Sequence, residues 1–124
     1  MSSMEKILGA LKKETEMELS VTGRVSGKII PRPVWFVLSK DNKSIMLIPV
    51  NGKETQWYLN VKKNPNVTVK VGGQSFNGRI AEVGQGQFDE VLATFMAKYG
   101  KEDMDSYYPR KEVALEIPLP ASVP

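Results

Sequence analysis

The stretch VTGRVSGKIIPRPVWFVL, Val21–Leu38, opens as a small, basic, glycine-containing turn and closes as an apolar run. Just upstream, Met17, Leu19 and Val21 alternate with polar residues, which is the period of a half-buried strand. Gly23 ends that strand, and GRVSGK is turn chemistry. The segment IIPRPVWFVLS then reads as one long strand, so the two form a hairpin. Pro31 and Pro33 lack the N–H that a ladder needs. Their part of the strand must lie at a sheet edge, at a bulge, or with its backbone toward a ligand. Arg24, Lys28 and Arg32 surround the glycines. Either they are solvated charges on a hairpin loop or they hold an anion, and local chemistry favours neither.

Outward from this hairpin, KDNK turns the chain into SIMLIPV, a continuously apolar, buried strand. NGKETQWYLNVKKNPN reads as a loop leading into a short helix, with Thr55 as N-cap, Trp57 and Val61 on one face, and Pro65 as its stop. VTVKV and QSFNGRIAEV flank Gly72 and Gly73 as a second hairpin. In GQFDEVLATFMAKYG, residues Phe88, Val91, Leu92, Phe95, Met96 and Tyr99 recur at helical spacing, with Gly100 at C′. That stripe is a core face rather than a cofactor box. EVALEIPL is a last strand, ended by Pro118 and Pro120, and Ile7, Leu8 and Leu11 mark an amphipathic N-terminal helix. The expected class is mainly β, α+β: about six strands, mostly joined by tight turns into an antiparallel barrel, with about three helices packed outside. A single domain over residues 1–124 is expected.

The 124 residues contain no cysteine and no histidine. Disulfide frameworks, thiol nucleophiles and thiolate metal sites are excluded, and the usual general base near neutrality is missing. No apolar run approaches the roughly 20 residues that cross a bilayer. MSSMEKILGALKKETE has no uninterrupted apolar stretch of the secretory kind, so a cytoplasmic location is the expectation. The net charge is +3, but it is unevenly spread. From Ser20 to Lys70 there are nine Lys or Arg against two acids, and from Glu82 to Glu116 eight acids against four bases. Such asymmetry points to an anionic ligand, whether nucleic acid, phosphate or an acidic tail, with a merely solvated face as the equal alternative.

Within TGRVSGK, glycines let successive N–H groups converge while Arg and Lys attract phosphate. Walker A spacing is absent and no helix follows, which disfavours a nucleotide triphosphatase. Arg32 shares a strand face with Ile30, Val34 and Phe36, where a charge needs a ligand or an ion pair with one of the C-terminal acids. In PVNGKETQWY, Asn51 and Gly52 offer backbone donors, Lys53 adds charge, and a helix start follows. Trp57 and Tyr58 could wall a planar ligand, or serve as core anchor and rim. Tyr107 and Tyr108 could bond a reacting oxygen or plug the barrel mouth.

The order L-x-V-T-G-R-x-S-G-K-x-x-x-R-P-V, an apolar strand, a glycine-containing loop, then WYLNVKKNPNVTVKVGG resembles the deazaflavin-dependent nitroreductase family. That family is a branch of the flavin-binding split β-barrels related to pyridoxamine 5′-phosphate oxidase. The resemblance implies a six-stranded antiparallel split β-barrel, a homodimer, and an oxidoreductase passing hydride from coenzyme F-420 to a small nitro or unsaturated acceptor. By the same resemblance, Arg24, Lys28 and Arg32 meet the cofactor's phosphate and acidic tail, and Pro33 and Val34 line its ring. Pro49, Val50, Asn51, Gly52 and Lys53 hold the other side, Trp57 and Tyr58 lie nearby, and Tyr107 and Tyr108 sit by the substrate. Where the family commonly reads Ser-Lys-Gly-Gly, this chain has Val50-Asn51-Gly52, with Lys53 beyond the glycine. FMN therefore stays open as the alternative cofactor. A non-catalytic flavin or deazaflavin carrier is the second reading. A nucleic-acid-binding barrel is the third, weakened because aromatic and basic residues are not interleaved as a stacking platform needs.

Overall fold

A computed structural model describes residues 3–120. Among them the chain forms four α-helices and eight strands, arranged in two antiparallel four-stranded sheets. The expected first hairpin is present. Strand β1 (Glu16–Thr22) pairs with β2 (Ile29–Trp35), and Gly27, at φ +72, makes the loop between them. The Gly23 N–H donates to the Lys28 carbonyl at 2.8 Å and closes that loop. β1 alternates as expected, with Met17, Leu19 and Val21 buried. In the first sheet β2 is an edge strand, which is where Pro31 and Pro33 cost no ladder bonds.

The apolar run does not continue as one strand. The chain leaves the first sheet at Phe36 and enters the second as β3 (Val37–Leu38). It pairs there with β4 (Ser44–Leu47). The second hairpin, β5 (Asn66–Val71) with β6 (Gln74–Arg79), likewise crosses at Ile80 into β7 (Ala81–Glu82). β7 pairs with β8 (Leu115–Pro118), which lies against β4. Two of the six expected strands are thus each divided by a corner, giving eight. Such corners strand backbone groups, and buried ones must find partners. At Phe36 they do: its N–H donates to the Tyr99 hydroxyl at 3.0 Å, and its carbonyl accepts from Lys98 Nζ at 2.8 Å. At Ile80 the N–H donates to the Pro65 carbonyl at 2.9 Å.

Helix α1 (Ser3–Lys13) buries Ile7 and Leu11, and α2 (Gln56–Lys63) buries Trp57, Tyr58, Asn60 and Val61. Helix α3 (Gln85–Tyr99) buries Phe88, Val91 and Phe95, and ends at Gly100, whose φ is +93. A fourth helix, α4 (Lys101–Tyr107), follows at once and corrects the expected three. The buried side chains fall into two clusters. One holds Leu19, Leu47, Val69 and Ile117, and the other packs α3 and Met104 against Val37 and Ile48. No helix among the described residues is long and apolar enough to cross a membrane.

Candidate functional site

Beside the free edge of β2 lies a cleft of about 630 Å³. Small-molecule sites commonly enclose about 300–1,000 Å³. One wall is β2 itself, from Arg32 through Pro33 and Val34 to Trp35, and its outer backbone is covered by no neighbouring strand. Facing residues are Val50 and Asn51, after β4, and Glu54 to Trp57, at the start of α2. Tyr107, Tyr108 and Glu16 complete the lining together with Ile48.

A second pocket of about 320 Å³ shares Arg32, Gln56 and Trp57 with the first, so the two adjoin at those three side chains. Its other walls are the basic turn from Gly23 to Ser26 and the side chain of Asn60. The electrostatics of the two parts differ. The larger is lined by Glu16, Glu54 and one arginine, Arg32, whereas the smaller is lined by two arginines and no acid. An anion is favoured at the smaller end and a neutral ring in the larger.

The predicted cations separate on inspection. Arg24 and Arg32 both line the smaller pocket. Register places Arg32 opposite Leu19, on the inward side with Ile30 and Val34, yet at the sheet edge it reaches solvent. Among the described residues it forms no ion pair; the C-terminal acids that pair do so with Lys40, Lys62, Lys101, Lys111 and Arg110. Lys28 and Lys53 are exposed and line neither pocket. Of the four expected binding cations, the pockets bring together Arg24 and Arg32 and leave out Lys28 and Lys53. Physically, a lysine at a hairpin tip or on an exposed turn gains more from hydration than from a cleft.

The loop after β4 holds its shape through its own contacts. Pro49 is fully buried core rather than lining. Gly52 is buried at φ +57, where an added Cβ would fall against the carboxylate of Glu112. Glu112 accepts from the Lys53 N–H at 2.9 Å and pairs with Arg110 at 2.8 Å, while Arg110 also binds Glu54. The Lys53 N–H, then the Arg110 guanidinium, hold the Glu112 carboxyl below the usual carboxylate range. Thr55 precedes α2 as expected, but its hydroxyl turns back to accept from the Asn51 N–H at 2.8 Å.

Trp57 is buried and borders both pockets. Tyr58 points elsewhere: its hydroxyl donates to Glu82 Oε1 at 2.6 Å. Burial, then that carboxylate, push its phenol up to about 12. Of the pair only Trp57 lines the two pockets, because adjacent helical residues point about 100° apart. Tyr107 is 60 % exposed and meets Trp35 edge-on, with ring centroids 5.3 Å apart. Tyr108 is buried between Phe95 and Trp35. Burial, then the neighbouring Tyr99, push its phenol well above the ordinary tyrosine range, so it stays protonated near neutrality. Its hydroxyl has no protein partner among the described residues, and it borders the cleft.

Sequence reasoning missed Trp35. Its ring stacks on Tyr99, and the readable signal was its parity with Pro31 and Pro33 along the edge strand.

Comparison with known proteins adds identity to this geometry. No curated protein matches the sequence. The fold matches an F420-H2 dependent reductase, FDR-A, at TM-score 0.67 and 20% identity, covering 84% of this chain and 94% of that one. A structure described as a domain-swapped dimer matches at 0.67 and 22% identity, covering 93% and 92%. A FAD-binding protein from Mesorhizobium loti matches at 0.68 and 18% identity, covering 98% and 92%. At these identities the structures establish a common fold, one that accepts more than one cofactor. Residues 2–119 match a single family along almost the whole chain, and that family uses coenzyme F-420 in its reduced form. By that match the chain belongs to the F420H(2)-dependent quinone reductase family.

Proposed function

We propose that this protein is an oxidoreductase that binds reduced coenzyme F-420 in the groove between β2 and α2 and reduces a small organic acceptor. The family description names a quinone; a nitro or unsaturated compound is the alternative acceptor. When bound, that cofactor supplies the hydride, so a protein without histidine or cysteine need only bind, orient and shield. Pro33, Val34, Trp35 and Trp57 would border the ring, while Arg24 and Arg32 would hold the anionic end. Val50 and Asn51 would face the ring from the other side. Tyr108, protonated and with its hydroxyl unpartnered, would donate a hydrogen bond to cofactor or acceptor. The proposal includes a homodimer, supported by the structural relative described as a domain-swapped dimer, and extends to a single cofactor-binding domain in the cytoplasm. It also includes the six-stranded split barrel, supported by the crossings at Phe36 and Ile80 that join both edges of the two sheets.

One observation carries this reading: an acid-free, arginine-lined pocket adjoins a larger aromatic cleft, with Arg32 and Trp57 lining both. A molecule with a flat ring and an anionic tail matches that division. Titration of the purified protein with F-420 and with FMN, read by cofactor fluorescence, tests it. F-420 should bind at micromolar concentration, and oxidation of the reduced cofactor should follow addition of a quinone. Binding of neither cofactor below roughly millimolar, about 4 kcal/mol, overturns the reading.

A further inference from the structure

Arg24 is held by four hydrogen bonds to three residues. Its N–H and its Nη1 both donate to Asn60 Oδ1, at 3.1 and 2.8 Å. Its Nη2 donates to Gln56 Oε1 at 2.9 Å, and its carbonyl accepts from Lys63 Nζ at 3.0 Å. Asn60 is itself buried on α2, so the acceptor that fixes the guanidinium is fixed in turn. Every acceptor on that guanidinium is a neutral amide oxygen. Arg24 takes part in no ion pair among the described residues, and neither does Lys63.

An arginine is usually held by carboxylates, which fix its position and cancel its charge together. Amide oxygens do only the first. The result is a cation held in one rotamer with its field intact, facing the pocket that Arg32 also borders. Preorganisation of this kind removes the ordering cost that a mobile arginine would incur on binding an anion.

We infer that Asn60 and Gln56 are positioning residues for an anion subsite. Their neutrality keeps Arg24 available to a phosphate or carboxylate, and so sets the preference for a cofactor with an anionic tail. The identity of the tail rests on the function proposed above; the neutral clamp does not. A carboxylate at either position would keep the hydrogen bonds and neutralise the site.

The substitution Asn60→Asp tests this, since Arg24 N–H and Nη1 remain its donors. Gln56→Glu makes the same change at an exposed position, where folding is least at risk. Three probes are titrated against each protein: F-420, its ring–ribityl alcohol lacking phosphate and acidic tail, and inorganic phosphate followed by tryptophan fluorescence. Wild type should bind F-420 at least about tenfold tighter than the tail-less probe, about 1.4 kcal/mol. Either variant should erase that preference and abolish the phosphate response. If both variants keep the preference, or lose affinity for both deazaflavins equally, the clamp is overturned. If wild type binds neither deazaflavin but its phosphate response is lost in the variants, the clamp stands and the cofactor assignment falls. Absence of a phosphate response and of any tail preference in wild type overturns the subsite.

Discussion

Trp35 lies parallel to Tyr99, with ring centroids 4.2 Å apart and planes 6° from coplanar orientation. The stack joins a strand that borders the cleft to the last turn of α3. Tyr99 has a second task at the same place. Its hydroxyl accepts from the Phe36 N–H and lies 2.7 Å from the Phe36 and Thr15 carbonyls, so it occupies the corner where the chain changes sheets.

Tyr99→Phe separates those tasks. The ring stack survives, but the Phe36 N–H loses its acceptor at a fully buried residue. An unsatisfied buried donor costs about 1–3 kcal/mol. Urea denaturation should show a loss of that size. F-420 affinity should fall by a smaller factor, because Trp35 keeps its stacking partner while the corner beneath it loosens. A denaturation midpoint equal to that of wild type would mean that the corner is satisfied by other means.

Lys98 gives the fold a measurable pH dependence. Its ammonium donates to the Phe36 carbonyl and sits 3.8 Å from the Phe36 ring centroid, and burial pushes its pKa down to about 8. In the unfolded chain a lysine titrates near about 10.4. Between those values the unfolded state binds more protons, so stability rises with pH through that window and is lower below it. The tyrosines act oppositely. Tyr99 and Tyr58, pushed up to about 12, favour the fold below pH 10 and lose that contribution above it. The denaturation midpoint should therefore climb from pH 7.5 to about 9.5 and then turn down. Lys98→Met should remove the climb and leave the downturn.

How much of this could be read beforehand depends on whether a residue's neighbours in sequence are also its neighbours in space. The β1–β2 hairpin was legible because alternation and two prolines constrain that segment from within. The corner at Phe36 was not, because apolar residues run on both sides of it and only Tyr99 and Lys98, far along the chain, mark the change of sheet. Helix α4 was hidden for another reason: of its seven residues, only Met104 is buried. One apolar contact makes no period. Arg24 and Arg32, singled out by charge near glycine and proline, line the smaller pocket, whereas Lys28, singled out by the same signal, does not. Choosing between Trp57 and Tyr58 required the rotation of α2 about its axis, which Glu82 on β7 makes visible through its hydrogen bond.

Gly52→Ala probes the loop that faces β2. At φ +57 an alanine is strained by about 1–2 kcal/mol, and its Cβ would lie 2.7 Å from Glu112 Cδ. Glu112 cannot yield freely, because it holds the Lys53 N–H and Arg110. Relief must come from the loop, which carries Val50 and Asn51 with it. A destabilisation of about 1–3 kcal/mol is expected, with weaker binding of F-420 and of the tail-less deazaflavin in equal proportion. Selective loss of the tailed cofactor alone would contradict the assignment of this loop to the ring end.

Tyr108 and Tyr107 differ in what a phenylalanine would remove. Tyr107 stands 60 % exposed, edge-on to Trp35, so Tyr107→Phe should change turnover and stability little. Tyr108 is buried, and its hydroxyl has no protein partner among the described residues. Tyr108→Phe therefore breaks no internal hydrogen bond and should shift stability by less than about 0.5 kcal/mol. If the protonated hydroxyl donates to the reacting partners, the loss should appear in catalysis instead. A fall in kcat of about 10- to 100-fold is expected, with the dissociation constant for F-420 nearly unchanged. Stopped-flow oxidation of the bound reduced cofactor by a quinone separates the two quantities. Turnover at the wild-type rate would reduce Tyr108 to a packing residue between Phe95 and Trp35, and leave the acceptor to be oriented by the edge of β2 alone.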